Sequence, residues 1–247
     1  MKGTLLEGNI RRQLTRLAVP LLIGNVLQQL YNTVDSLVIG RYLGTDAFSA
    51  AGIAGTIMNL FIFVLTGFCT GISVLLAQIY GRGDRSAFRR EVFVSLSLGA
   101  GITLALSALF MALMRPVLRM IQSPEALIPY IEAYLQVIVG GMLATYFYNL
   151  FSSMLRAIGD TRAATFFLLV AVSVNAAVDY LFVARLGMGI AGAAWATVLS
   201  QVLSAICCLI YIFRRDRDLI CSRYDVGFEK GMVRRTLEFG FSSALHQ

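Results

Sequence analysis

The stretch that decides the fold is YNTVDSLVIG, residues 31–40, where one carboxylate, Asp35, stands within a long apolar run. Between residues 14 and 43 the only charged residues are Arg16, Asp35 and Arg41. Such a run is typical of a helix that crosses a membrane, which needs roughly 20 apolar residues. Inserting a carboxylate in such a helix costs about 2.5–3.5 kcal/mol. We therefore expect Asp35 to have a function that offsets this cost.

The composition of the chain points to a membrane protein. Its 247 residues are 57% hydrophobic and only 14% charged, whereas soluble domains carry roughly 25% charged residues. The net charge of +7 could indicate nucleic-acid binding, but the basic residues are scattered between apolar runs. The predicted partner is therefore the lipid bilayer and not nucleic acid. Four cysteines lack metal-ligand spacing and are interpreted as small apolar side chains: Cys69, Cys207, Cys208 and Cys221.

Six apolar segments are separated by short polar breaks, and none alternates with the period of a β-strand. Only a helix satisfies all the backbone polar groups of a single segment within a bilayer. The sequence therefore predicts an all-α integral membrane protein, a bundle of six transmembrane helices. The predicted spans are residues 14–43, 48–80, 92–114, 130–155, 163–186 and 190–213.

The distribution of basic residues predicts the orientation of the chain. With a cytoplasmic N-terminus, 17 of the 21 Lys and Arg residues fall on the inner side. The four that fall outside are Arg41, Arg115, Arg119 and Arg185. Cytoplasmic segments of membrane proteins are enriched in Lys and Arg. We therefore expect a multi-pass protein of the inner (plasma) membrane with both termini in the cytoplasm.

The C-terminal part of the chain resembles the start of the first predicted span. Residues 1–213 hold the six spans, residues 214–233 form a basic cytoplasmic linker, and residues 234–247 start a further apolar run. That run loosely repeats the start of the first span, and transporters are often built from such internal repeats. We expect a seventh, truncated helix and a missing C-terminal lobe or a second copy as partner. The alternative is a short interfacial helix.

Two carboxylates lie inside the predicted spans, Asp35 in the first and Asp179 in the fifth. From the cytoplasmic ends of their helices they lie about 27 Å and about 24 Å away, at 1.5 Å per residue. Because both helices run outward, the carboxylates are expected at one level, where their charges repel. The pair is thus a candidate site for a shared proton or a sodium ion. The alternative is that each aspartate only bonds a neighbouring helix.

Further polar residues in the spans could join this pair. Asn175 precedes Asp179 by one helical turn, and Thr197 lies in the sixth span. Oxygen atoms of such side chains are the ligands that sodium or a proton network uses, although each residue alone more often makes an interhelical hydrogen bond. Three members of the predicted polar or substrate-binding network lie in the fourth span: Asn149, Ser152 and Tyr134.

These residues resemble those of a known family. YNTVDSLVIG, the loop LRAIGDTR, the pair Asn175 and Asp179, and GIAGAAWATVLSQ are similar to the N-terminal lobe of multidrug and toxic compound extrusion (MATE) transporters, prokaryotic DinF-like branch. The resemblance implies export of cationic or amphipathic drugs in exchange for sodium or protons, with no other cofactor. It implies coupling roles for Asp35, Asp179, Asn175 and Thr197. The chain departs from the family at Ser152 and in holding one lobe of a twelve-helix architecture.

There are three alternatives to a drug exporter. A lipid-linked oligosaccharide flippase of the same superfamily would favour a cationic cavity, whereas the intramembrane ionisable residues here are acidic. A membrane aspartyl protease needs Tyr-Asp and Gly-x-Gly-Asp, and the chain offers VDY and AIGD, the latter in a loop at Asp160. A half-size lobe that acts only by assembling is the third. The chain has no P-loop and no GxSxG motif, so we expect a transporter and not an enzyme.

Overall fold

The computed structural model describes residues 10–216, 219, 227 and 230–246, and within these it contains helices and turns but no strand. Most of the predicted basic linker lies outside the described residues. The helices are α1 (Ile10–Tyr42), α2 (Gly44–Gly81), α3 (Arg85–Met120), α4 (Ile128–Gly140), α5 (Met142–Ala157), α6 (Thr161–Asp179), α7 (Gly189–Arg215) and α8 (Lys230–Leu245). A π-helical segment, Tyr180–Arg185, continues α6 directly.

Helix length and composition identify most of the membrane spans. In the described part of the chain, α2, α3, α6 with its π-helical segment, and α7 are each long and apolar enough to cross a bilayer. The bent pair α4 and α5 makes a fifth if it counts as one span. Helix α1 is 33 residues long but more polar, and it packs along α6 and α2. It contains the first predicted span, residues 14–43, whose crossing of the membrane stays a prediction.

Two helices begin at aspartates that follow a tight turn. Asp84 precedes α3 and accepts hydrogen bonds from the backbone N–H of Ala87 at 2.9 Å and the hydroxyl of Ser86 at 2.8 Å. These donors favour the ionised carboxylate and lower the pKa of Asp84. Asp160 caps α6 in the same way through the N–H of Ala163. Both caps satisfy N–H groups that have no partner within the helix.

The fourth predicted span, residues 130–155, is not one continuous helix. It breaks at Gly141 between α4 and α5, whose axes differ by 47°. A Cβ atom at Gly141 would lie 2.2 Å from Cγ2 and 2.6 Å from Cγ1 of Val198 on α7. The break therefore lets the chain approach α7 more closely than any side chain would allow.

The fifth predicted span ends with a wider turn. After Asp179 the backbone changes to π-helix, where the N–H of Leu186 bonds to the carbonyl of Leu181 at 2.9 Å, five residues earlier. The sequence predicts a regular helix here, because apolar periodicity does not distinguish four-residue from five-residue hydrogen bonds. Single π-turns occur frequently at functional sites, and this one begins directly after a predicted site residue.

The last helix, α8, packs against α2 and α3. The crossing with α2 is close, because a Cβ at Gly71 would lie 2.1 Å from the carbonyl oxygen of Phe239. A Cβ at Gly240 would lie 2.3 Å from the ring of Phe68. The predicted seventh apolar run, residues 234–247, thus lies mostly within a helix that begins at Lys230, against the first six spans.

Candidate ion-coupling site

Asp35 on α1 and Asp179 on α6 are neighbours inside the bundle, close enough for their carboxyl groups to interact. Asp179 is fully buried, and the Oδ1 atom of Asp35 is also removed from solvent. Two ionised carboxylates have no hydrogen to donate to one another. The structure thus brings together the two aspartates that the sequence singles out, and one proton or cation shared between them would reduce their repulsion.

Helix α7 supplies a neutral polar group to this pair. The side-chain amide of Asn175, fully buried one turn before Asp179, donates to the hydroxyl of Thr197 at 3.4 Å. The carbonyl of Thr197 accepts from the hydroxyl of Ser200 at 2.8 Å. These contacts connect α6 to α7, and they place the predicted residues Asn175 and Thr197 together as neighbours of the carboxyl pair.

Two tyrosines extend the cluster to α1 and α4. Tyr31 lies one turn before Asp35 on α1, is 7% exposed, and has its hydroxyl 3.5 Å from that of Ser200. Tyr134 on α4 is 8% exposed and lies in the neighbourhood of Tyr31 and both aspartates. The cluster therefore joins four elements: α1, α4, α6 and α7.

Several oxygen atoms in this cluster lack a hydrogen-bond partner. They are Oδ1 of Asp35, both carboxyl oxygens of Asp179 and Oδ1 of Asn175, all buried. A buried polar atom without a partner costs about 1–3 kcal/mol, so such an arrangement is stable when a bound species supplies what is missing. Carboxylate, amide and hydroxyl oxygens together suit a hard cation or a proton. Among the described residues, no three His, Cys, Asp or Glu side chains gather as a transition-metal site would require.

Asn149 and Ser152, also predicted for the network, form hydrogen bonds within their own helix, α5. The amide of Asn149 donates to the carbonyl of Thr145, in its own helix, at 2.8 Å. The hydroxyl of Ser152 accepts from the guanidinium of Arg156 at 2.8 Å. A role for these two residues in binding substrate stays a prediction.

Three polar residues of the interior are missing from the sequence-based predictions: Tyr31, Ser200 and Glu91. Tyr31 could have been found, because it opens the quoted stretch and stands four residues before Asp35 on the same helix face. Ser200 follows Thr197 by one turn. Glu91 directly precedes the predicted third span, residues 92–114, and is fully buried within α3. Contact with α8, which the sequence does not predict, therefore places a third carboxyl group inside the protein.

The loop motif LRAIGDTR holds helices together. Besides capping α6, Asp160 accepts a hydrogen bond from the hydroxyl of Tyr211 at 2.8 Å and forms an ion pair with Arg215, both at the end of α7. The AIGD sequence considered for a membrane protease therefore links the start of α6 to the end of α7. It lies apart from the Asp35–Asp179 pair.

Comparison with known proteins agrees with this architecture. The MatE family model matches residues 20–181. The "Probable multidrug resistance protein YpnP" of Bacillus subtilis is 33% identical over 208 residues, which are 84% of this chain and 47% of that protein. The chain thus spans about half the length of the curated relatives that it matches.

Solved structures share the fold over nearly the whole chain. An outward-facing multidrug resistance MATE transporter has a TM-score of 0.88 at 24% identity, over 96% of this chain and 53% of its own, which is a likeness of fold alone. A MOP-superfamily transporter from Pyrococcus furiosus, described as having a binding pocket of reverse polarity, has a TM-score of 0.84 at 26% identity. The match covers 99% of this chain and 54% of that transporter.

Proposed function

Because this chain belongs to the MatE family of multidrug and toxic compound extrusion transporters, we propose that it forms one lobe of a cation-coupled antiporter. The family consists of multi-pass membrane transporters and not of enzymes. The proposed substrates are cationic or amphipathic compounds, and the proposed coupling ion is sodium or a proton. The observation that carries the proposal is the contact between Asp35 and Asp179 with oxygens that lack partners.

Ion coupling follows from the charge of this pair. Two unit charges about 4 Å apart repel by roughly 4 kcal/mol at an effective dielectric constant near 20. One bound proton or sodium ion removes this repulsion and allows α1 to approach α6, whereas its release favours separation. A cationic substrate would be attracted by the same negative charge. Competition between substrate and ion for one site is sufficient for exchange across the membrane without a nucleotide.

The exposed surface of α1 supports a second lobe as partner. Gln29, Asn32 and Ser36 are spaced along one side of α1 and are exposed, although hydrocarbon does not solvate such groups. On α2, Thr56 and Asn59 are likewise exposed. We propose that these residues face a cleft closed by a second lobe, which α8 begins, or by a second copy. Both termini are proposed to be cytoplasmic, as the distribution of basic residues predicts.

The flippase alternative would require a pocket of opposite charge. Its lipid-linked pyrophosphate substrates are anionic, and the Asp35–Asp179 pair would repel them. Since one structural relative is described by a reversed pocket polarity and a different function, pocket charge is the property that decides between these substrate classes. The carboxyl pair favours cations.

The test replaces each aspartate by its neutral isostere. Asp35→Asn and Asp179→Asn are expected to preserve membrane insertion, because Asn costs less to bury than a carboxylate. Each should abolish proton release from the purified chain upon addition of sodium or of a lipophilic cation, and ion-driven efflux in vesicles. The matched control is Asp46→Asn, since Asp46 is an exposed aspartate at the start of α2. Unchanged proton release and efflux in both site variants would show that the carboxyls are only structural.

A further inference from the structure

A third buried carboxyl group lies at the junction of α3 and α8, apart from the pair described above. Glu91 is fully buried. Its Oε1 atom lies 2.7 Å from the hydroxyl of Thr236 on α8 and 3.2 Å from the hydroxyl of Ser95, one turn further along α3. Its Oε2 atom is buried and has no hydrogen-bond partner.

The hydroxyl group of Thr236 contacts two acceptor atoms at this junction. The hydroxyl oxygen of Thr236 lies 2.7 Å from Oε1 of Glu91 and 2.9 Å from the backbone carbonyl of Met232. Both of these atoms are acceptors, and a threonine hydroxyl has one hydrogen. If Thr236 donates to the carbonyl four residues earlier, as Thr33 and Thr56 do in their helices, its contact with Glu91 needs a second hydrogen. A protonated carboxyl group supplies it.

The lone Oε2 atom leads to the same conclusion. Burying an ionised carboxylate with one oxygen unpartnered has a large desolvation free energy. The desolvation free energy of the carbonyl oxygen of a neutral acid is far smaller. In the described part of the chain, no hydrogen bond reaches Oε2 of Glu91. Arg235 of α8 is exposed and is near enough to Glu91 for its charge to act on the carboxyl group.

The remaining packed helices bring tyrosines to this junction. Tyr146 of α5 donates its hydroxyl hydrogen to the backbone carbonyl of Ser95 at 2.6 Å. Tyr80 of α2 packs its ring against Phe88, one turn before Glu91. Neither hydroxyl forms a hydrogen bond to the carboxyl group of Glu91 in the described structure, so the carboxyl depends on Ser95 and Thr236.

We propose that Glu91 is a second proton-binding site, at which a bound proton holds α8 against the six-helix lobe. The protonated Oε1 donates to Thr236 and accepts from Ser95, and only the uncharged carbonyl oxygen, Oε2, stays without a partner. Loss of the proton leaves a buried charge that is relieved only when α8 separates and water enters. Because α8 follows the six-helix lobe and packs on α2 at Gly71, the protonation of Glu91 sets how firmly α8 is attached to that lobe.

The test is hydrogen–deuterium exchange of the α8 amides in the full 247-residue chain, between about pH 5 and pH 8. Glu91→Gln mimics the protonated acid, since it carries no charge and its NH2 group at the position of Oε1 can donate to the hydroxyl oxygens of Thr236 and Ser95. The exchange rate in the unaltered chain divided by that in Glu91→Gln cancels the intrinsic effect of pH. The ratio is expected near one at the acidic end and to rise by up to about tenfold per pH unit. Glu238→Gln, on the exposed side of α8, is the control and should behave like the unaltered chain.

Two results would overturn the proposal. A ratio that does not change with pH would show that no proton is exchanged when α8 docks. Thr236→Val, which removes the acceptor hydroxyl without changing the size of the side chain, should accelerate α8 exchange at the acidic end, while Thr236→Ser should not. Equal protection in Thr236→Val and the unaltered chain would also be incompatible with it. An infrared carbonyl band of a protonated acid that disappears in Glu91→Gln would identify the group directly.

Discussion

Replacing Gly141 by alanine should disturb the junction of α4, α5 and α7. The new Cβ would lie 2.2 Å from Cγ2 of Val198 and 2.6 Å from its Cγ1. Ordinary van der Waals contact needs 3.4 Å or more, so one helix must move by about 1.2 Å, the difference between the two distances. Overpacking of this kind costs about 1–3 kcal/mol. Thr197, adjacent to Val198, would move with α7.

The neighbouring glycine provides a matched control. A Cβ at Gly140 meets no atom within 4 Å, and alanine is a better helix former than glycine by up to about 1 kcal/mol. Gly140→Ala should therefore leave stability unchanged or raise it slightly. We expect the two alanine variants to differ by about 2 kcal/mol, which corresponds to roughly 4–8 °C in apparent unfolding temperature for a chain of this size.

The assay is thermal unfolding in detergent, followed through the fluorescence of Trp195, which is the only tryptophan of the chain. Val198→Ala removes both clashing methyl groups and leaves a single contact at 3.0 Å from Cβ. The double variant should therefore be more stable than the sum of the two single changes predicts, with a coupling of about 0.5–3 kcal/mol. Equal unfolding temperatures for Gly141→Ala and Gly140→Ala, or no rescue by Val198→Ala, would refute this account of the helix break.

Two further predictions concern the side of the bundle that the distribution of basic residues assigns to the cytoplasm. A cysteine placed at Ala87, in a background without the four native cysteines, should react with a membrane-impermeant thiol reagent only in broken cells; labelling of intact cells from outside would reverse the assigned orientation. Asp160→Asn should keep the cap of α6 but lose the ion pair with Arg215, whereas Asp160→Ala loses both. The alanine variant should unfold with about 1 kcal/mol less stability than the asparagine variant, and equal stabilities would show that the cap contributes nothing.

Much of the site could be predicted from the sequence, because placing a charged side chain in a membrane costs free energy. Asp35 and Asp179 stand out in apolar runs, and the rise of 1.5 Å per residue was enough to place them at one level. The same reasoning places Tyr31 on the helix face of Asp35 but does not predict its contact with Ser200, since tyrosine and serine are common in membrane helices. Their membership depends on which sides of α1 and α7 face each other, and that is set by contacts between residues 169 positions apart.

The sequence by itself determined the class of the protein, an all-helical membrane protein. Each apolar run must satisfy its own backbone polar groups in lipid, and this local requirement leaves only the helix. The tertiary structure alone decided where these helices break, widen and touch. Gly141 breaks a span because Val198 of another helix lies there, and Glu91 is buried because α8, about 145 residues further along the chain, covers it. Burial and close packing are properties of pairs of helices, and no run of residues in one helix specifies its partner.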